Sequence, residues 1–241
     1  MSLIPRTEVG EGLARALEAF SGEPSLLLAL VPGGVGLGIE LSRRLALPLE
    51  PLITSKLCLP GGEEGTTTIG AMAERGDFFL DLVAVRERQI HESALDHCTD
   101  AALHQIERRI RLYRAGEPLS DLYARTLILV SEGFDSLSTA RVALATARRM
   151  MPRRLLLAVP ALSDEFHRAL SPLTSAIYTL QSPGELERGE PIGRFITSFD
   201  SMNDEEAAGF LRQFRLESQH AGRSGADASQ HQPPHEELGE V

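Results

Sequence analysis

The chain has 241 residues, within reach of a single α/β domain with insertions. Its 42% apolar and 24% charged residues exclude a wholly disordered chain, and with 5% aromatics and no Trp the core must be aliphatic. The formal charge of -10 argues against a nucleic-acid face, which needs clustered cations, and leaves anionic small molecules to a local site.

In chain order, apolar runs of strand length fall at Leu26–Val31, Leu49–Ile53, Leu80–Val85, Thr126–Val130, Leu155–Val159 and Ala176–Leu180. Helical patterns lie between most of them, at Val35–Leu47, Glu87–Tyr113, Leu137–Met151 and Ser163–Leu170. This alternation predicts a mainly parallel sheet covered by helices on both faces, because runs such as Leu-Ile-Leu-Val show no polar alternation. The stretch from Lys56 to Gly76 breaks the rhythm, and its Gly-rich and Thr-rich centre reads as a long, mobile loop.

The final residues, 217–241, carry Glu217, Asp227, Glu236, Glu237 and Glu240 against Arg223 alone. From about His220 onward they have almost no aliphatic side chains, which predicts a disordered acidic tail after a domain over 1–216. Cys58 and Cys98 form no CxxC pair, and no apolar run approaches the ~20 residues of a membrane span. The expectation is a cytoplasmic protein without a membrane or nucleic-acid partner. Glu87 with His91, and His97 with His104, share helix faces but form no repeated carboxylate–histidine pair, so they read as solvated.

Two strand-to-helix junctions stand out, since helix N-termini beyond the carboxyl ends of parallel strands present free N–H groups to anions. The first is Val31-Pro32-Gly33-Gly34-Val35-Gly36-Leu37-Gly38. Its glycine order departs from the dinucleotide fingerprint, and the next strand ends Ile53-Thr54-Ser55 with no acid for a ribose. A tight turn with close helix packing is the other reading. The second junction, Val130-Ser131-Glu132-Gly133-Phe134-Asp135-Ser136-Leu137-Ser138-Thr139, sets carboxylates beside a hydroxyl-rich helix entry. That combination suits a phosphorylated sugar, although an ST-rich N-cap that merely starts the helix has the same composition.

The second junction resembles the phosphoribosyl pyrophosphate motif of the type I phosphoribosyltransferases, and other segments narrow the resemblance to a bacterial and archaeal group of that family. Ala29-Leu30-Val31-Pro32-Gly33-Gly34-Val35 is similar to that group's Leu-Pro-Arg-Gly-Gly-Val. Lys56 with Pro60-Gly61, Ile69-Gly70-Ala71-Met72-Ala73-Glu74 and Leu112-Tyr113-Arg114-Ala115-Gly116 resemble later segments, as do Phe199-Asp200 and Asn203-Asp204-Glu205-Glu206. The resemblance implies a twisted, mainly parallel sheet of about five strands with a small hood over about 56–115.

It also implies a phosphoribosyltransferase that binds a small phosphorylated ligand, with Mg²⁺ carried on the diphosphate, and self-association is compatible with it. Glu132 is then the candidate catalytic residue. Ser131, Gly133, Asp135, Ser136, Leu137, Ser138 and Thr139 would bind the ribose and 5′-phosphate, and Gly33, Gly34 and Lys56 the diphosphate. The chain departs from the pattern at Ser131-Glu132 in place of two aspartates, at Ser136-Leu137 in place of Thr-Gly, and in lacking an arginine between Pro32 and Gly33 and before Lys56. Leu137 would need positive φ and would crowd the phosphate. The alternative is a catalytically inactive homologue that senses a ligand or binds a partner.

Overall fold

Strand β7 (Thr126–Val130) is buried at every residue, as an apolar run without alternation requires when helices cover both faces. The computed structural model describes residues 4–59, 67–120, 122–180, 196–197 and 202–228. In it β7 is the middle strand of a five-stranded sheet. Around it lie β2 (Ser25–Leu30) and β3 (Leu49–Leu52) on one side, β8 (Arg154–Ala158) and β9 (Ala176–Tyr178) on the other. All four pairings are parallel, with Ala29 opposite Val130 and Val130 opposite Ala158. A short parallel pair, β1 (Ile4–Pro5) with β10 (Ile196–Thr197), lies apart.

Alternate side chains of the strands serve two cores. Leu27, Ala29, Ile128 and Val130 join a cluster built with α1 (Arg6–Leu17), α2 (Gly34–Leu45), α4 (Glu92–Arg114) and α7 (Asp204–Ala228). Leu26, Leu28, Leu127 and Leu129 face the other way, onto Ala140, Ala143, Leu144 and Ala147 of α5 (Leu137–Arg149) and Leu170 of α6 (Asp164–Leu170). The doubly covered sheet anticipated from the sequence is therefore the observed one.

Between β3 and β7 the chain forms an antiparallel sheet, β4 (Thr54–Leu59), β5 (Thr67–Ala73) and β6 (Phe78–Leu80). It is backed by Cys98, Ala102 and Ile106 of α4. This corrects the long-loop expectation at both ends of the stretch, for Lys56 pairs with Ala71 in an antiparallel ladder whose register shifts between Leu57 and Cys58, while residues 60–66 lie outside the described residues. Gly70, read as a loop glycine, lies inside β5, where a Cβ would stand 2.3 Å from the Phe79 carbonyl oxygen. Its absence lets β6 approach.

The run Leu80–Val85 is likewise not one strand. β6 stops at Leu80, and Asp81 starts α3 (Leu82–Glu87) by accepting hydrogen bonds from the Val83 and Ala84 N–H groups, each 3.0 Å. At the far end, α7 continues to Ala228, so helix covers the first part of the segment predicted to be disordered from 217. Pro60, Gly61, Phe199, Asp200 and residues 229–241 lie outside the described residues.

A buried ion pair ties the antiparallel hood to the main sheet. Glu74 and Arg114 are 3% and 4% exposed and in direct contact. The Glu74 carboxylate also accepts from the Ile53 N–H at 3.0 Å, and Arg114 donates to the Pro51 carbonyl at 3.2 Å. Next to it Asp204 accepts from Tyr113 Oη at 3.0 Å and Gln105 Nε2 at 3.2 Å, and pairs with Arg108 and with Arg109 at 3.0 Å. Arg109 in turn donates to the Thr54 carbonyl at 2.6 Å. Burial and the neighbouring Asp204 push the Tyr113 hydroxyl well above its ordinary range, so it remains a donor. Asn203 and Glu206 close a reciprocal cap on α7, the Glu206 N–H donating to Asn203 at 2.9 Å and the Asn203 N–H to Glu206 at 3.1 Å.

Candidate functional site

The two junctions singled out in the sequence meet at the carboxyl ends of β2 and β7. The entry to α2 presses on the end of β7: a Cβ on Gly34 would fall 2.4 Å from the Val130 carbonyl oxygen, so only glycine fits. One residue earlier, the same construction on Gly33 lies 3.8 Å from a Glu132 carboxylate oxygen. Gly33 and Glu132, about a hundred residues apart, therefore lie side by side at the cleft formed by these two strand ends.

Beyond β7 the backbone is held by Ser131, which is buried. Its hydroxyl donates to the Gly133 carbonyl at 2.6 Å and accepts from the Gly133 N–H at 3.2 Å. Gly133 takes φ 151°, a conformation that favours glycine. Phe134 stacks on Phe166 of α6 with centroids 6.4 Å apart, anchoring the loop on its apolar side. Asp135, two-thirds exposed, contacts the amine of Lys56 on β4. The hood thus reaches the loop through the chain's single lysine.

Ser136 is the extended residue before α5 and makes no side-chain cap, and α2 also begins without one. α4 begins the same way at His91, whereas α3, α6 and α7 have caps from Asp81, Ser163 and Asn203. The N-cap residues of α2 and α5 thus offer no side-chain acceptor to the first turn, and both helices begin beyond the carboxyl ends of paired strands. Ser138 is buried, and the Thr139 hydroxyl is buried without a hydrogen-bond partner. Leu137 departs from the sequence expectation: it is not among the residues with positive φ. Its side chain packs with Phe134 against the cluster containing Leu129 and Leu157.

Among the described residues no cluster of three His, Cys, Asp or Glu could hold a metal ion. Glu132, beside Gly33, and Asp135, paired with Lys56, are carboxylates on this loop. The weaker candidates have local roles. His97 and His104 turn Nδ1 to carbonyls of their own helix, at 2.5 and 2.8 Å. Cys98 donates to the Cys58 carbonyl at 2.9 Å, and burial raises its thiol above the ordinary value. The Glu74–Arg114 pair and the Asp204 cluster were not identified from sequence as interacting groups, because their members lie far apart along the chain; the only signal was the resemblance of their segments.

The five-stranded parallel sheet, with an antiparallel hood between its second and third strands in sequence, is the architecture that the sequence resemblance implies. The chain is 27% identical over 223 residues to proteins named "Putative phosphoribosyl transferase" from Mycobacterium tuberculosis strains CDC 1551 and H37Rv. The match covers 92% of this chain and 49% of theirs, so the chain spans about half the length of these curated relatives. The solved structure of TT1426 from Thermus thermophilus superposes with TM-score 0.68 and 27% identity, covering 89% of this chain and 99% of that one. No family model matches the chain. The chain is thus similar over most of its length to proteins named putative phosphoribosyl transferases. No helix among the described residues is long and apolar enough to cross a membrane.

Proposed function

We propose that the cleft between the two junctions binds a phosphorylated ribose, and that the chain transfers a phosphoribosyl group from phosphoribosyl pyrophosphate to a nitrogen acceptor. The observation that carries this reading is the convergence of Glu132, Gly33 and the uncapped N-termini of α2 and α5 at adjacent strand ends. The first turn of α5, with Ser136, Ser138 and the unpartnered Thr139 hydroxyl, receives the 5′-phosphate. Glu132 accepts hydrogen bonds from the ribose hydroxyls. Gly33 and Gly34 admit the diphosphate close to the backbone, and Lys56 exchanges Asp135 for its charge.

Mg²⁺, arriving on the diphosphate, supplies charge neutralisation for the leaving group. The C1–oxygen bond breaks with its electron pair on the diphosphate, a C1–nitrogen bond forms, and the nitrogen proton passes to solvent. The chain's own part is positioning and exclusion of water.

Ser131 weakens this ligand. Its hydroxyl is spent on Gly133, so the ribose meets one carboxylate instead of two. One missing charge-assisted contact is worth about 1.5–3 kcal/mol, roughly a ten- to hundredfold loss of affinity. Leu137, turned into the core, adds no backbone strain to that loss. Calorimetric titration of phosphoribosyl pyrophosphate with Mg²⁺ tests the reading: weak binding by the natural chain, and tighter binding by Ser131→Asp, are expected. No heat from either protein at millimolar ligand would overturn it. The engagement of Ser131 also favours a second reading, a ligand-sensing homologue without turnover, which binding without diphosphate release would identify.

A further inference from the structure

At the opposite, amino-terminal end of the sheet lies a cavity of about 330 Å³, where α5 passes into β8 and the chain enters β9. Its lining contains Arg148, Arg153 and Arg154 and no Asp or Glu, in a chain whose net charge is -10. Such a reversal of local sign concentrates anions at this face. Arg153 and Arg154 share a single carboxylate, Glu23, in contact with the first and 4.0 Å from the second. Arg148, in the last turn of α5, has no ion pair among the described residues.

Two side-chain hydroxyls join the arginines in the lining. The Thr174 hydroxyl is buried and without a partner. The Ser175 hydroxyl accepts from the Leu155 N–H at 3.2 Å, which leaves its own proton to donate. The wall is fixed by backbone bonds from Ala124 to the Met151 carbonyl at 3.2 Å and from Arg153 to the Arg125 carbonyl at 2.9 Å. A cavity of this size, with three arginines and two hydroxyls among its side chains, sits at the small end of ligand pockets, which run from about 300 Å³ upward.

We infer that this cavity is a second anion site, which takes the phosphate of a small phosphomonoester of nucleoside-monophosphate size. Arg148 and Arg154 hold the phosphate from two sides, and Thr174 and Ser175 donate to it. The site is separate from the cleft at the carboxyl ends of β2 and β7 and does not depend on what that cleft binds.

Hydrogen–deuterium exchange with adenosine monophosphate, and in parallel with inorganic phosphate, tests the inference at low ionic strength. Adenosine monophosphate should slow exchange at 153–155 and 174–176, equally in the natural chain and in Lys56→Ala, which touches only the other cleft. A weaker effect of inorganic phosphate at the same amides is expected if the phosphate is the recognised group. Arg148→Ala with Arg154→Ala should weaken binding at least tenfold, both side chains being exposed enough to be lost without unfolding. Glu23→Gln, which frees the two other arginines, should tighten it severalfold. No slowing by either anion at these amides, or unchanged affinity in both sets of variants, would overturn the proposal.

Discussion

Two polar regions of the molecule carry segments that resemble the family, and they are built in opposite ways. In the knot of Glu74, Arg114, Tyr113 and Asp204, the charges are buried and each meets a partner. In the cleft, Lys56 and Asp135 are partly or largely exposed, two helix N-termini have no side-chain cap, and the Thr139 hydroxyl is unpartnered. The first arrangement is complete without a ligand, whereas the second leaves donors available for one. Resemblance of sequence alone does not separate scaffold from chemistry, and partnering does.

Variants should divide along the same line. The largest effect belongs to Arg114→Ala, which strands a buried Glu74 and should cost about 3–5 kcal/mol, lowering the melting temperature by roughly 6–20 °C in calorimetry. Asp204→Ala leaves Tyr113, Arg108 and Arg109 without their shared acceptor, and urea denaturation should register a loss of about 2–3 kcal/mol. Neither change touches the cleft, so ligand affinity should survive wherever the variant is folded. Loss of affinity in a folded Asp204→Ala protein would erase the distinction between the two regions.

Tyr113 gives the knot a pH signature. Its hydroxyl is raised in the folded chain above the unfolded value of about 10, so the stabilisation it brings is present below about pH 10 and is lost as pH rises further. Tyr113→Phe should lower stability at neutral pH by about 1–2 kcal/mol and flatten the alkaline limb of a stability profile. An unchanged alkaline limb would contradict the assignment. The smallest stability effect is expected at Lys56→Ala, because its pair with Asp135 is open to solvent and worth at most about 1 kcal/mol. That variant should instead weaken ligand binding. A large fall in melting temperature with unchanged affinity would move Lys56 into the scaffold.

Much of the sheet was legible in the sequence, because Thr126–Val130 and Leu155–Val159 are apolar without alternation and so announce strands buried on both faces. The hood was not. Its β4–β5 hairpin surrounds Gly70, whose role depends on the approach of Phe79, a neighbour that local pattern does not reveal. The break between β6 and α3 hangs on one Asp81 side chain. In the cleft, residue types marked both junctions, but their meeting depends on the parallel pairing of β2 with β7. The φ of Leu137 could not be read from its side chain, and the expectation of strain there came from the glycine that the resemblance placed at that position.

The most direct test of the central claim is a calorimetric comparison of phosphoribosyl pyrophosphate binding, in Mg²⁺, to the natural chain and to Ser131→Asp. The account predicts measurable binding to both, tighter by about tenfold or more in the variant, since one ribose-facing carboxylate is restored. Equal affinity in the two proteins, or no binding to either, would contradict it.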